Sequence, residues 1–183
     1  MAALSLWEAD ILLWIQAHLR NPFTDPIVSF FTQLGNAGLL FIALTLLLLV
    51  FPKTRRLGLA AGCALVLSLL FTNVLLKHLV GRVRPWVDFP SLVPLVHEGD
   101  PNSFPSGHSS AAFAFAAGVF FSRPPRWLKI SAPILALLMA LSRLYVGVHY
   151  PTDVAAGIAV GILAGWLASR IAGELCRKWA KKP

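Results

Sequence analysis

Five long apolar runs are the feature that most restricts the fold of this chain. Four are clear and one has a polar end, and they cover residues 27–51, 57–80, about 107–122, 128–147 and 152–172. Charged residues make up only 13% of the 183 residues, against about a quarter in soluble domains. An apolar run of about 20 residues crosses a bilayer as a helix. The sequence therefore predicts an all-α fold, a polytopic membrane bundle of five transmembrane helices in a single domain over residues 1–183.

The segment before the first run has a different character. In residues 4–19, apolar side chains recur with helical spacing, but Glu8 and Asp10 interrupt them. The segment is shorter than the roughly 20 residues that a span needs. We therefore expect an amphipathic helix in the membrane interface, with Trp7 and Trp14 as anchors; a sixth, imperfect span is the alternative. The first residues lack a basic region, so no cleavable signal peptide is predicted.

The distribution of cations predicts the orientation in the membrane. Eleven of the 16 cations flank the apolar runs on one face of the predicted bundle, and basic loops stay cytoplasmic. They are Lys53, Arg55, Arg56, Arg123, Arg126, Lys129, Arg170, Arg177, Lys178, Lys181 and Lys182. This pattern accounts for the net charge of +8 without a nucleic-acid partner. It predicts a multi-pass protein of the inner or plasma membrane, with a cytoplasmic C-terminus and with residues 81–106 and 148–151 on the outer face.

Two further patterns concern packing. Gly157, Gly161 and Gly165 form a small-residue stripe at a spacing of four in the fifth run, which permits close helix contact. Packing within the monomer is favoured, and a homodimer face is the alternative. Cys63 and Cys176 are the only cysteines, so no disulfide framework and no cysteine metal cluster are predicted.

The longest polar segment, residues 81–106, is too long for a simple connector, which favours a functional loop. Lys77 lies just before this loop, and Arg84-Pro85 lies inside it. Both cations are thus at the outer end of a predicted span, where the positive-inside rule does not predict positive charge. Arg84 suits a phosphate because its planar guanidinium donates two parallel hydrogen bonds. Arg82 either belongs to the same clamp or is solvated, and the solvated interpretation is favoured.

A second cluster follows in the stretch from Asn102 to Ser109. Pro105 and Ser106 are typical helix-start residues, and the free N–H groups of a first helical turn favour an anion. Gly107 allows a ligand to approach the backbone. His108 can exchange a proton near neutral pH.

The third cluster contains Arg143, His149 and Asp153. An arginine inside an apolar run is a functional candidate, although a structural ion pair of Arg143 with Asp153 is the alternative. The spacing allows Asp153 to accept a hydrogen bond from one imidazole nitrogen of His149, which leaves the other nitrogen free as a nucleophile or base.

Together the three clusters suit the transfer of a phosphoryl group. Lys77, Arg84 and Arg143 would neutralise its charge, while the Ser106 hydroxyl and the Gly107 N–H would bind its oxygens. His149 would attack phosphorus and form a phosphohistidine, and His108 would protonate the leaving oxygen and later activate water. The carboxylates are few and scattered, so neither a metal nor another cofactor is predicted.

The pattern Lys77-x6-Arg84-Pro85, Pro105-Ser106-Gly107-His108 and Ser142-Arg143-x5-His149-x3-Asp153 resembles the three-part signature of the type 2 phosphatidic acid phosphatase (PAP2) family. The match is complete, in the family's order, over residues 77–153. The resemblance implies a fold shared with vanadium haloperoxidases and metal-independent hydrolysis of a lipid phosphate monoester or diphosphate, in a membrane-lipid environment.

Within that family, the short chain resembles bacterial undecaprenyl-diphosphate and phosphatidylglycerophosphate phosphatases, and lipid A phosphatases share the signature. An outward-facing site favours the undecaprenyl-diphosphate phosphatases, with phosphatidylglycerophosphate, phosphatidic acid or lipid A as alternative substrates. The loop residues Trp86, His97, Glu98 and Asp100 are candidates for selecting the head group. A haloperoxidase is disfavoured because the site lies beside lipid. The non-enzymatic alternative is a transporter or lipid-binding protein whose cations only bind an anion.

Overall fold

The computed structural model describes the backbone of residues 2–179 and the side chains of residues 5–178. This part of the chain is helical, as the apolar runs predict. It also contains a 3₁₀ turn, Asn36–Gly38, and a π-helical segment, Leu70–Leu76. The α-helices are α1 (Ala2–His18), α2 (Thr24–Gln33), α3 (Leu39–Val50), α4 (Arg55–Leu69), α5 (Lys77–Val80), α6 (Pro85–Asp88), α7 (Gly107–Phe121), α8 (Arg126–Tyr145) and α9 (Pro151–Trp179).

Helix α7 is the centre of the bundle. Its side chains are mostly small, and the run from Ala114 to Val119 is buried throughout. Helices α4, α8 and α9 pack around it, and the Phe115 ring packs at a tilt against Phe41 of α3, with the ring centres 5.7 Å apart. Small side chains let the surrounding helices approach closely. Close approach stabilises the bundle because van der Waals packing, and not the hydrophobic effect, holds helices together in lipid.

The glycine stripe of α9 is filled from within the chain. A Cβ atom at Gly157 would lie 2.5 Å from the carbonyl oxygen of Ser106, and one at Gly161 would lie 2.5 Å from that of Ser110. A Cβ atom at Gly165 would lie 2.5 Å from the Cβ of Ala117. All three contacts belong to α7, as the favoured packing within the monomer predicts. The stripe is therefore covered by α7 and is not open to a second copy.

The first apolar run, residues 27–51, is not one continuous helix, although its two helices together could still form one span. It breaks between α2 and α3, whose axes differ by 52°. Ala37 has φ 51° and Gly38 has φ 73°, a left-handed conformation that an α-helix cannot continue. The break positions Asn36 above α7, as described below.

Length and composition limit the number of membrane-spanning helices. Three helical stretches are long and apolar enough: Arg55–Asp88, α8 and Pro151–Lys178 of α9; the bent pair of α2 with the 3₁₀ turn and α3 would make a fourth. Helix α7 has 15 residues, about 22 Å at 1.5 Å per residue, which is less than the roughly 30 Å of a hydrocarbon core. The predicted count of five spans remains a prediction.

The N-terminal segment forms α1, in agreement with the predicted helix at 4–19. Trp7 and Trp14 are more than half exposed, whereas Ala9 and Leu12 pack against Leu92 and Tyr150. Glu8, which in the sequence only interrupts the apolar pattern, is fully buried. Helix α1 therefore packs on the bundle through a face that carries a buried charge.

The two ends of the bundle differ in charge. The cations after α3, after α7 and near the end of α9 lie at one end, and the signature residues lie at the other. Lys181 and Lys182, two of the eleven cations that predict the orientation, fall outside the described residues.

Candidate active site

One cavity of ≈ 540 Å³ opens at the end of the bundle where α5, α7 and the α8–α9 turn meet. Residues from all three signature segments line it: Lys77, Arg84, Gly107, His108 and His149. Ser106, Arg143 and Asp153 do not line it; they are buried directly behind it. The structure thus brings the three segments together, with five of the eight predicted residues at the cavity wall.

His149 lies in the turn between α8 and α9, where Gly147 adopts φ 76° and so permits the reversal. Its ring is buried, and Nε2 accepts a hydrogen bond from Nη1 of Arg84 at 3.1 Å. Because a guanidinium can only donate, Nε2 is unprotonated and the neutral ring carries its proton on Nδ1. Burial, followed by the positive charges of Arg84, Arg143 and Lys77, lowers the pKa of His149 well below its usual value. The ring is therefore held neutral, as a nucleophile requires.

Asp153 lies behind the His149 ring, in the first turn of α9. Its Oδ2 is 3.6 Å from Nδ1 of His149, beyond hydrogen-bond distance, so the predicted hydrogen bond is not formed. Oδ2 instead accepts hydrogen bonds from the Tyr150 N–H at 2.9 Å and the Ser103 hydroxyl at 2.7 Å. These partners saturate the carboxylate oxygen and fix it where its charge faces the imidazole.

Arg82 is not solvated, which corrects the favoured interpretation. Its side chain is 19% exposed and donates to Asp153 Oδ1 at 2.8 Å and to Glu8 Oε2 at 2.6 Å. The guanidinium carbon also lies 3.8 Å from the centre of the Tyr150 ring. Glu8 and Arg82 thus connect α1 to the Asp153 carboxylate. The signal in the sequence was an acidic residue on the apolar face of a helix.

His108, at the start of α7, faces the cavity opposite His149. Its Nε2 lies 3.1 Å from Oδ1 of Asn36, in the 3₁₀ turn that breaks the first apolar run. Gly35 makes room for the ring, because a Cβ there would lie 2.7 Å from Cδ2 of His108. No sequence motif marked Asn36 as a residue of the site, because its contact with His108 depends on the break.

Ser106 caps α7, as predicted for a helix start. Its hydroxyl oxygen accepts hydrogen bonds from the Ser109 N–H at 3.3 Å and the Ser109 hydroxyl at 2.9 Å, and its own N–H donates to the Asp153 carbonyl at 3.0 Å. The Ser106 side chain is therefore engaged in capping α7, and its backbone N–H joins α7 to α9. Of the two predicted oxygen-binding groups, Gly107 is the one that faces the cavity.

Carboxylates of the 81–106 loop pair with the three predicted phosphate-binding cations. Lys77 is ion-paired with Asp100, and Arg143 with Glu98. Arg84 has its Nη2 3.7 Å from Oε2 of Glu98. Arg143 thus pairs with Glu98 and not with Asp153, the partner named in the structural alternative; it also donates to the Thr32 hydroxyl at 2.7 Å, a contact that the sequence did not indicate.

Asp100 shows how strongly this cluster favours negative charge. Partial burial raises the pKa of its carboxyl, but the hydrogen bond from Lys77, the Asn102 N–H and the charges of Lys77 and Arg84 outweigh it, so the net pKa is lowered. The carboxylate therefore stays ionised against the cations. An anion that enters the cavity must compete with it and with Glu98.

The other two loop residues named as head-group candidates lie at the edge of this cluster. The Trp86 ring centre is 5.8 Å from the guanidinium carbon of Arg84, and His97 is exposed. Their role in selecting a head group stays a prediction. Within residues 5–178, no three His, Cys, Asp or Glu side chains form a group that could hold a metal ion.

The cavity continues from the polar cluster into an apolar groove between α3 and α4. Its wall there is formed by Ile42, Leu46, Leu65, Val66 and Leu69. Gly62, which lies 15 positions before Lys77, also lines it, so the cavity extends roughly 20 Å along α4 and the π-helical segment, at about 1.5 Å per residue. The polar cluster would suit the head group of a lipid, and the apolar groove would suit its long tail.

Known proteins are similar to this chain in sequence and in fold. A family model described as the PAP2 superfamily matches residues 57–176. Phosphatidylglycerophosphatase B of Bacillus subtilis is 34% identical over 164 residues, which cover 76% of this chain and 70% of that protein. An undecaprenyl-diphosphatase of Sulfolobus acidocaldarius is 33% identical over 117 residues, which cover 64% of this chain and 56% of that protein.

A solved structure agrees over a larger part of the chain. The crystal structure of a transmembrane PAP2 type phosphatidylglycerolphosphate phosphatase from Bacillus subtilis superposes with a TM-score of 0.77 at 29% identity, over 95% of this chain and 88% of that chain. The chain therefore spans little more than half of the archaeal relative but most of the solved bacterial structure. Since the family match covers more than half of its length, this multi-pass membrane protein belongs to the PAP2 superfamily.

Proposed function

We propose that the protein is a lipid phosphatase that removes phosphate from a membrane lipid without a metal ion, through a phosphohistidine, with undecaprenyl diphosphate as the preferred substrate. Phosphatidylglycerophosphate, phosphatidic acid and lipid A are the alternative substrates. The observation that carries the proposal is the single cavity with two histidines and two cations at one end and an apolar groove at the other.

In the first step, the Nε2 lone pair of His149 attacks phosphorus while the bond from phosphorus to the lipid oxygen breaks. His108, protonated once the negative charge of the substrate phosphate lies beside it, gives that proton to the leaving oxygen, so the lipid leaves as a neutral alcohol or a monophosphate. Because Nδ1 of His149 already carries a proton, the phosphorylated ring is a cation. The Asp153 carboxylate, 3.6 Å from Nδ1, stabilises that charge. Lys77, Arg84 and Arg143 offset the charge on the phosphoryl oxygens.

In the second step, His108 accepts a proton from water as the water oxygen attacks phosphorus. The bond between phosphorus and Nε2 breaks, and the electron pair returns to the nitrogen. Inorganic phosphate leaves, and both histidines regain their starting protonation. The free N–H groups at the start of α7, including that of Gly107, would bind the phosphoryl oxygens.

The choice of a polyprenyl diphosphate rests on the groove and on the proposed orientation. A polyprenyl tail needs a long apolar surface with no further polar partner, and the groove between α3 and α4 supplies one. The basic residues at the opposite end of the bundle favour an outer-face location for the cavity. At that face the enzyme would act on a lipid diphosphate whose head group lies on the outer side of the membrane.

The proposal is tested by phosphate release from purified protein in detergent, without added metal, from undecaprenyl diphosphate, phosphatidylglycerophosphate and phosphatidic acid. His149→Ala should abolish turnover. His108→Ala should lower kcat by about 10²- to 10⁴-fold on lipid substrates but much less on p-nitrophenyl phosphate, whose leaving group needs no proton. Wild-type turnover that His149→Ala leaves unchanged would contradict the phosphohistidine.

The groove has its own test in Gly62→Leu. A Cβ at Gly62 would sit in ordinary contact with Cγ2 of Thr45, at 3.5 Å, and a longer side chain would cross the groove. We expect kcat/KM for long-chain lipid phosphates to fall about tenfold or more, as for an overpacked site, with p-nitrophenyl phosphate hydrolysed as before. Gly62→Ala is the matched control. An equal loss on both substrates would argue against a tail in the groove.

A further inference from the structure

A second cavity, of ≈ 820 Å³, opens at the end of the bundle opposite to the candidate active site. Four arginines from three parts of the chain line it: Arg56 at the start of α4, Arg123 after α7, and Arg170 and Arg177 in the last turns of α9. Glu174 is the one carboxylate among the lining residues described, and it is ion-paired with Arg177. The cavity therefore concentrates positive charge.

Three of these arginines have no anionic partner within the part of the chain that the structure describes. Among the side chains of residues 5–178, no carboxylate forms a salt bridge with Arg56, Arg123 or Arg170. Arg56 extends across α9, with Nη2 3.5 Å from where a Cβ of Gly173 would lie. Arg170 stacks on Trp166 at 5.2 Å. Guanidinium groups brought together in this way repel one another unless an anion lies between them.

Membrane orientation alone does not explain this arrangement. Cations at this end of the bundle satisfy the positive-inside rule wherever they lie, and Lys53, Arg55, Arg126 and Lys129 do so outside the cavity. Four arginines around one concave site are instead suited to a phosphate group, which guanidinium binds through paired hydrogen bonds. Basic pockets between helices at this membrane face bind anionic lipid head groups.

The rim of the cavity favours a lipid as the source of that phosphate. Phe121 and Trp166 are 44% and 40% exposed at its wall, and tryptophan side chains lie at the level of lipid head groups. We propose that this cavity binds the phosphate of an anionic phospholipid from the leaflet opposite to the active site. The ligand is held as a bound lipid and is not hydrolysed, because neither histidine of the active site is near.

The test compares wild type, the cavity variant Arg123→Gln/Arg170→Gln and the control Arg126→Gln/Lys129→Gln, whose residues lie at the same end outside the cavity. Binding of dioleoylphosphatidylglycerol, with dioleoylphosphatidylcholine as reference, is measured by native mass spectrometry; inorganic phosphate is titrated in parallel. We expect at least a tenfold loss of phosphatidylglycerol affinity in the cavity variant only. Hydrolysis at the other end should be unchanged.

Each other outcome overturns a stated part of the proposal. Equal affinities in all three proteins, or equal losses in both variants, would remove the site in favour of unspecific surface attraction. Weaker binding of inorganic phosphate by the cavity variant, with lipid binding unchanged, would support an anion site but would rule out a phospholipid as its ligand. Equal melting temperatures in phosphatidylcholine show that the variants are folded.

A different observation carries a second inference, which rests on the proposed function. Glu8 of α1 is fully buried and accepts hydrogen bonds from the Thr152 N–H at 2.8 Å and its hydroxyl at 2.6 Å. Its other oxygen binds Arg82, whose Nη1 donates to Asp153. Burying a carboxylate and an arginine costs free energy unless both groups are paired and fully hydrogen-bonded.

We infer that Glu8 and Arg82 are positioning residues for catalysis. Glu8 neutralises part of the Arg82 charge, and Arg82 holds the Asp153 carboxylate toward His149. Without Glu8, the full charge of Arg82 would act on Asp153, which would then stabilise the phosphorylated imidazole less. Glu8→Gln, of the same shape, should lower kcat about tenfold and leave KM unchanged, since no contact with substrate is lost. Asp10→Asn, at an exposed position of the same helix, is the control.

Single-turnover rates of phosphoenzyme formation separate this role from a structural one. A lower melting temperature of Glu8→Gln with a wild-type rate per folded molecule would overturn the inference and leave the proposed function intact. Arg82→Lys, which keeps the positive charge but cannot donate to Glu8 and Asp153 through a planar guanidinium, should show the same fall in kcat. If wild type itself forms no phosphoenzyme, the proposed function is what fails.

Discussion

At the residue scale, the cations assigned to phosphate are held by carboxylates of the protein itself. Glu98 lies between Arg143 and Arg84, and Asp100 pairs with Lys77. The side chain of Glu98 is only 15% exposed, so the pair is shielded from water and salt. In the proposed mechanism, a substrate phosphate would have to displace Glu98 before it could reach Arg143.

Glu98→Gln should therefore increase the affinity for anions and lower the stability of the folded protein. We expect the inhibition constant for vanadate or phosphate to fall roughly three- to tenfold, because no competing carboxylate remains. The melting temperature should fall without phosphate, since Arg143 loses its buried partner, and recover when phosphate is added. Both are measured by thermal denaturation and by inhibition of phosphate release.

The control for this prediction is Glu174→Gln, which removes a carboxylate at the far end of the bundle. It should change neither the inhibition constant nor the response of the melting temperature to phosphate. Weaker phosphate binding in Glu98→Gln would show that the carboxylate orients the ligand and does not compete with it.

His149 gives a prediction about pH. Its pKa is lowered in the folded protein, first by burial and then by the surrounding cations, while in the unfolded chain it is near the ordinary value of about 6.5. Below that pH the unfolded chain binds a proton that the folded protein does not. Stability should therefore fall as pH drops from about 6.5 toward the folded pKa, by at most about 1.4 kcal/mol per pH unit.

His149→Asn should remove this contribution. The melting temperature of wild type is expected to fall more between pH 7 and pH 5 than that of the variant, with no difference in slope above pH 7. His18→Asn, at an exposed position of α1, should behave as wild type. Parallel curves for wild type and His149→Asn would mean that the buried imidazole is protonated in the folded state.

At the element scale, the contact of α7 with α9 positions the site. The start of α7 carries His108, the start of α9 carries Asp153, and the Ser106 N–H donates to the Asp153 carbonyl. The glycines of α9 keep the two helices at the distance that this contact requires. The same two helices run to the opposite end of the bundle, where they carry the arginine cavity.

Gly161→Ala should separate these helices. The added Cβ would lie 2.5 Å from the Ser110 carbonyl oxygen and 2.9 Å from the Ala114 nitrogen, both of them backbone atoms that cannot rotate away. We expect a loss of about 1–3 kcal/mol in stability, typical of overpacking, together with reduced kcat. Gly99→Ala, where a Cβ has nothing within 4 Å, is the control for thermal denaturation. An unchanged melting temperature for Gly161→Ala would contradict the tight packing.

At the scale of the whole molecule, the bundle has a catalytic end and a cationic end. The positive-inside rule places the second in the cytoplasm, so the active site would face outward. This assignment decides which lipid pool the enzyme reaches. It also places the two proposed lipid sites in opposite leaflets.

Cysteine labelling tests the orientation. In a Cys63→Ser/Cys176→Ser background, Gly99→Cys in the exposed loop should react with a membrane-impermeant maleimide on intact cells. Lys53→Cys, in the exposed turn between α3 and α4, should react only after permeabilisation. The reverse pattern would place the active site in the cytoplasm and would remove the reason for preferring an outer-leaflet substrate.

The sequence determined the helical class and the residues that meet at the cavity. Apolar runs are a local property, and in a bilayer a helix satisfies its backbone hydrogen bonds within one segment, so most helices could be placed without knowledge of their neighbours. The exception is the break at Gly35–Gly38, where two glycines and an asparagine inside an apolar run were the available signal. Short motifs likewise identified Lys77, Arg84, His108 and His149.

Only the tertiary structure decided how these residues are partnered. Glu8 binds Thr152 across 144 positions of sequence, and Thr32 binds Arg143 across 111. No pattern within a segment encodes such pairs, because they depend on which helix faces pack together. The same applies to Arg82, which is at the surface in a local interpretation but bound between two buried carboxylates in the fold. Chemistry was thus readable from residue types at fixed spacing, whereas charge compensation required the three-dimensional distances between distant segments.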